Sequence, residues 1–295
     1  MPLLSSQRRP VSGLGPSAWF APRFAVAFLL WLALTAAGAW FLVFRPAEEL
    51  DLKAAEREAD ICESLLATEM ERLRAISLDW ANWDDLEKYL LDPEEKFAVE
   101  NVTQVALRNL GIDGMLLVKK DGQLQRREVT GPNKSLYPGS NVFLERTAPL
   151  RSLALQEGAS VSVLGGAGHL FVVAVAPVLG TDAAGPASGE VIVFSLLTDA
   201  ELSSRPGIKG AKISLFPAGT QALEIDANGS RPRVSTSVAT RSIKSRDGSE
   251  AGRLRVEHHA SHEHLAKRSA LFFAAAAVLL FVVLFAACAM RGQRT

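Results

Sequence analysis

Two uninterrupted apolar runs constrain this chain more than any other feature of its 295 residues. Phe24 to Phe44, FAVAFLLWLALTAAGAWFLVF, holds 21 residues without a charge, and Ser269 to Met290, SALFFAAAAVLLFVVLFAACAM, holds 22. At about 1.5 Å per residue, a helix of either length crosses a hydrocarbon core of roughly 30 Å. Only a helix satisfies such a backbone from within. Trp19, Trp31 and Trp40 suit a span with one or both ends at the lipid headgroups. A cleaved signal peptide is the competing reading of the first run, with Arg8, Arg9 and Arg23 as its basic front and Ala37-Gly38-Ala39 as its cleavage site. The run is long for that role, and cleavage there would leave Trp40 to Phe44 as an apolar new terminus. For the second run the competing reading is a core helix, which would show a polar face that this sequence lacks.

Charge orients the two spans. All 32 acidic residues lie between them, together with 27 of the 32 basic ones, a net charge of −5. The first 23 residues carry three arginines and the last five carry two. Short basic flanks stay in the cytoplasm. The expected organisation is a cytoplasmic tail at 1–23, a transmembrane helix at 24–44, an extracytoplasmic domain at 45–268, a second transmembrane helix at 269–290 and a cytoplasmic tail at 291–295. The expected location is the inner (cytoplasmic) membrane, with both termini inside. Neutrality of the whole chain conceals this split and points to no nucleic-acid partner. The loop has enough residues for a good core. Its one cysteine is Cys62, the other being Cys288 inside the second span, so no intrachain disulfide staples it. Cys62 is then either a buried free thiol or a cross-link between two chains.

Along the loop, Ala47 to Leu78 contains neither Gly nor Pro and reads as one long helix. Ala55, Ala59, Cys62, Leu66, Glu69, Leu73 and Ile76 follow alternating spacings of four and three, a heptad seam broken only at Glu69. Such a seam packs on a second helix of a homodimer or on the domain's own core. A second helix is expected over about Pro93 to Leu110. MLLVKKDGQLQRREV then reads as a hairpin turning at Asp121-Gly122. Further strands are expected at SVSVLGG from 160, HLFVVAVAPVL from His169, GEVIVFSLL from Gly189, AKISLF from Ala211 and GRLRVEHH from Gly252. Helices first and antiparallel strands afterwards indicate an α+β domain. Whether 207–268 forms a separate subdomain stays open.

DWANWDD (Asp79 to Asp85), an Asn101-containing helix, LGIDGMLLVKKDG (Leu110 to Gly122), GHLFVVAVAPV with Pro177, and GEVIVFSLL stand in a recognisable order. Together they resemble the CHASE domain of the fourth type, an extracytoplasmic sensor domain of bacterial membrane receptors. The resemblance covers about Ala47 to Leu197. It implies a PAS/Cache-like antiparallel sheet behind a long N-terminal helix, and a periplasmic sensory role in signal transduction. Family members usually continue the Trp-Asp pair with Thr-Tyr, where this chain has Leu86-Glu87 and an aromatic ring only at Tyr89. They are usually fused to a histidine kinase, diguanylate cyclase or phosphodiesterase. Here RGQRT follows the second span, so signalling is expected to pass to a separate partner such as a histidine kinase or diguanylate cyclase.

Trp80, Trp83, Asp84, Asp85 and Tyr89 are the candidate ligand-binding residues. One reading is architectural: two rings fill a corner where the long helix breaks, and the aspartates accept from the indole N–H groups. The other is an aromatic wall with an acid that binds a cationic or amine-bearing ligand. A second cluster is EHHASHEHLAKR, Glu257 to Arg268, with four of the five histidines. In a helix, His258 and His262 are an i, i+4 pair able to hold a divalent metal; in an extended segment, His262 and His264 share a face. The same histidines suit a pH sensor or a solvated collar above the lipid headgroups. No His-Glu-x-x-His, nucleophile elbow or phosphate loop occurs, so an enzyme is not expected. The reading is a membrane-anchored sensory domain that detects a small ligand or an environmental condition. The alternative is a structural or interaction subunit of a membrane complex without a small ligand.

Overall fold

The computed structural model describes residues 17–131, 137, 139–166, 168–181, 185–205, 208, 211–219, 236–259 and 261–292. In chain order these form α1 (Ser17–Ala39), a π-helical turn (Trp40–Phe44), α2 (Arg45–Ala81), α3 (Asp84–Leu91), α4 (Glu95–Asn101), α5 (Gln104–Leu110), β1 (Gly114–Lys119), β2 (Leu124–Val129) and α6 (Ser140–Glu157). There follow β3 (Ser160–Gly166), β4 (His169–Val178), β5 (Gly189–Leu197), α7 (Asp199–Ser203), β6 (Ala211–Pro217), β7 (Thr236–Lys244), β8 (Glu250–His259) and α8 (Ser261–Gly292). The chain divides into two compact units, 1–51 with 260–295, and 52–259.

Two helices are long and apolar enough to cross a membrane, the one that runs on from Val26 of α1 through the π turn into α2, and α8, and neither apolar stretch is buried. The absence of burial argues against a core helix, whose apolar face would be covered. The two helices meet through aromatic rings, with Phe281 centred 4.6 Å from Phe28 and 5.7 Å from Trp31. The Thr35 hydroxyl, a polar group inside the run, donates to the Trp31 carbonyl at 2.6 Å and so needs no water.

The second unit is built on a five-stranded antiparallel sheet of order β2-β1-β5-β4-β3. This order, behind the long helix α2, is the expected PAS/Cache-like arrangement in an α+β domain. Alternation of side chains across the strands makes two cores. Met115, Leu117, Leu170, Val172, Ala174, Val191 and Val193 face α2 and α3, while Leu116, Val118, Phe171, Val173, Ile192 and Phe194 face α6. The central strands β4 and β5 are buried on both faces, which is why their sequences read as continuous apolar runs. In the β1–β2 hairpin, Gly122 takes φ +84 at the turn, as the Asp-Gly pair predicts. Gly114 lies under the Phe194 ring, where any Cβ would overlap it.

The heptad seam of α2 is taken up by this domain. Ala55, Ala59, Cys62 and Leu73 are fully buried, and Leu66 and Ile76 pack beside them in the core of the α2-facing side. The second, three-stranded sheet, β6-β8-β7, contributes Ile213, Ala239, Ile243, Leu254 and Val256 to that same core. Strands β6, β7 and β8 therefore share a core with the five-stranded sheet, within the unit 52–259. Three local expectations change. The helix predicted over Pro93 to Leu110 is two helices, because Thr103 caps α5 by accepting from the Ala106 amide at 3.1 Å. Helix α6 and strand β7 were not predicted. α6 carries Pro149 in its interior, and it covers the second core with Phe143, Leu150 and Ala154.

Candidate functional site

The tryptophan-aspartate stretch is the corner between α2 and α3. Helix α2 ends at Ala81 and Trp83 occupies the N-cap of α3 in an extended conformation, so the helix does not continue through both rings. Trp80 is buried and Trp83 half-buried. Their rings meet edge to face at 5.4 Å, Trp83 meets Phe97 at the same distance, and Phe97 stacks on Tyr89 at 5.0 Å. Asp84 and Asp85, expected to accept from the indoles, are engaged by other groups. Asp84 accepts from the Thr181 amide at 2.6 Å, which holds its carboxyl below the ordinary range, and Asp85 lies 3.5 Å from Lys88. Glu87 accepts from the Ser188 hydroxyl at 3.0 Å, and the Leu179 amide donates to the Ala81 carbonyl at 3.1 Å. The corner therefore fastens the start and end of the β4–β5 connection to α3. Asp85 and Tyr89 also line a surface groove of about 570 Å³ with Lys88, Phe97, Glu94 and Glu100.

A second cleft, of about 390 Å³, lies on the same face of the sheet between α2, β5 and α7. Its centre is Arg72, which donates to Glu69 at 2.9 and 2.5 Å, to the Leu110 carbonyl at 2.8 Å and to the Gly111 carbonyl at 2.8 Å. The guanidinium thus caps the end of α5, where carbonyls lack helical donors. Leu66, Leu197 and Leu202 form apolar walls, and Glu201, Arg205 and Ser195 complete the lining. Asp113 lies next to it, accepting from the Leu196 amide at 2.7 Å. Burial, and then the charge of Glu69, raise Asp113 above the usual carboxylate range against the pull of the Leu196 amide and the Tyr137 hydroxyl. Burial and Glu69 raise Glu201 in the same way. The sequence offered one signal of this cleft, the acid that interrupts the heptad seam at Glu69.

The histidine cluster is divided between two elements. His258 lies in β8, so it does not form a helical pair with His262, whereas His262 and His264 fall in the first turn of α8, their side chains outside the described residues. His258 Nδ1 is 3.1 Å from Glu58 of α2, and both side chains are largely buried. Among the described residues, no group of three or more His, Cys, Asp or Glu side chains is placed to hold a metal ion. Cys62 is buried, and burial followed by the nearby Glu58 carboxylate pushes its thiol up to about 11.

The fold and its two apolar helices define a class: a membrane protein whose principal domain is a PAS/Cache-like α+β unit. Residues 65–210, just under half of the chain, match the model of the CHASE4 domain. The structure is similar to the crystal structure of the periplasmic domain of Vibrio cholerae LuxQ, with 11% sequence identity and a TM-score of 0.47 over 70% of this chain and 100% of that one. No curated protein matches the chain.

Proposed function

We propose that the chain is a receptor module anchored in the inner membrane by spans at 24–44 and 269–290, with both termini in the cytoplasm and 45–268 outside. The CHASE4 domain detects a small ligand or an environmental condition. Helix α2 passes the change to a separate cytoplasmic output protein, of histidine kinase or diguanylate cyclase type. The observation that carries this reading is the burial of the α2 seam in the core that also holds β4 and β5. A rearrangement at the sheet then has to move α2, because packed cores respond by discrete shifts rather than by yielding locally. The corner residues Trp80, Trp83 and Asp84 serve this coupling by holding the β4–β5 connection to α3.

The test is affinity capture of the full-length protein from its own membranes after cross-linking. Recovery of a kinase or cyclase subunit is expected. Recovery of an assembly without any signalling enzyme favours the structural-subunit alternative and overturns the receptor reading. Topology is checked separately in spheroplasts. Lys120→Cys, in the exposed turn of the β1–β2 hairpin, reacts with a membrane-impermeant thiol reagent, and Gln293→Cys does not. The reverse pattern refutes the orientation.

A further inference from the structure

Among the described residues two serine hydroxyls, those of Ser160 and Ser195, are buried without a hydrogen-bond partner, and Ser195 lines the Arg72 cleft. Ser195 sits in β5 at 7% exposure. A buried hydroxyl left unpaired is destabilising, so native structures rarely keep one without a use. Strand parity gives its direction. Val191, Val193 and Leu197 of β5 all belong to the core on the α2-facing side, and Ser195 shares their face and lines the Arg72 cleft. The volume of about 390 Å³ falls within the usual range for small-molecule sites, roughly 300–1,000 Å³.

The charges around the cleft indicate what would enter it. Three carboxylates, Glu69, Asp113 and Glu201, act on one another there, opposed by Arg72 and Arg205. Arg72 is committed to Glu69 and to the two carbonyls at the end of α5. Arg205 reaches Glu201 only at 3.6 Å, with both side chains about half exposed, a pair of little strength. Glu201 is therefore the acid open to a new partner, beside the walls of Leu66, Leu197 and Leu202. We propose that this cleft is a binding site for a small organic amine, whose ammonium pairs with Glu201 and donates to the Ser195 hydroxyl and whose apolar body lies on the leucines. This rests on the sensory reading of the domain and names the ligand class it would detect. Occupancy would bear directly on α2 and β5, which form two of the cleft's sides.

The experiment is calorimetric titration of the full-length protein in lipid nanodiscs with isobutylamine, with isobutanol and isobutyrate as the neutral and anionic counterparts. Saturable binding of the amine alone is expected. Ser195→Ala and Glu201→Gln should each weaken it about tenfold. Ser195→Ala should at the same time keep or raise the melting temperature, because it removes an unpaired buried hydroxyl, and this outcome separates a ligand contact from a structural role. Absence of saturable amine binding, equal binding of isobutanol, or unchanged affinity in both variants overturns the proposal. A captured kinase or cyclase together with no amine binding would overturn this site and leave the receptor reading intact. Amine binding that needs Ser195 and Glu201, without any captured partner, would do the reverse.

Discussion

Arg72→Met tests whether the cleft is held together as its geometry implies. The substitution keeps the aliphatic stem and removes two donors to the Leu110 and Gly111 carbonyls, both at 2.8 Å, and the two-point pair with Glu69. Hydrogen bonds to a charged group contribute about 1.5–3 kcal/mol when buried. The Arg72 side chain is 35% exposed and that of Glu69 17%, so solvent screening reduces each carbonyl contact to about 1 kcal/mol. Leaving Glu69 half-buried without its cation adds about 1 kcal/mol. The expected loss is about 3 kcal/mol, and Glu69→Gln in the same chain should restore about 1 kcal/mol by removing the stranded charge. Urea unfolding of the full chain in detergent, followed by tryptophan fluorescence, gives both numbers by linear extrapolation. Trp80 and Trp83 lie in or against the core concerned; with Trp19, Trp31 and Trp40 replaced by Phe in the parent and in each variant, the signal reports on this domain. A loss under about 1 kcal/mol, or a double variant no more stable than Arg72→Met, refutes the clamp.

Gly114→Ala places a methyl group in the Phe194 ring and should cost about 3 kcal/mol, read as a lower urea midpoint; a neutral result would mean that β1 and β5 are not paired in this register. Cys62, buried and with its thiol pushed up to about 11, should resist maleimide at about pH 8 until the protein is unfolded. Ready labelling, or a disulfide-linked dimer through Cys62, contradicts the packing of α2. Asp113 and Glu201 are raised in the folded state, so between their ordinary and their raised values the native protein holds protons that the unfolded chain has already released. Their sum makes stability rise as pH falls through the raised values towards the ordinary carboxylate range near 4. Asp113→Asn with Glu201→Gln should flatten that slope, and a urea midpoint that only falls between about pH 7 and 5 refutes it.

What the sequence revealed depended on how local the cause was. The apolar spans need no partner to be recognised, and the β1–β2 hairpin is announced by Asp121-Gly122, which carries its turn with it. Strands β4 and β5 are legible because burial on both faces leaves no polar alternation to obscure them. Strand β7, TSVATRSIK, has scattered apolar residues and is a strand because β8 pairs with it. Helix α6 is hidden by Pro149 and by the lack of a regular apolar stripe in SNVFLERTAPLRSLALQE; its Phe143, Leu150 and Ala154 are core residues only once the sheet is there to receive them. The Arg72 cleft is the least local feature, assembled from positions 72, 111, 195 and 201, and no spacing rule joins them. Glu69 nevertheless marked it. An acid at a seam position is stable only with a partner, and the partner is Arg72 three residues on, whose remaining donors reach the end of α5. The same geometry answers the question that the heptad spacing left open. Ala55, Ala59, Cys62 and Leu73 are already covered by the domain's own core, so a homodimer of this chain must use a surface other than the seam.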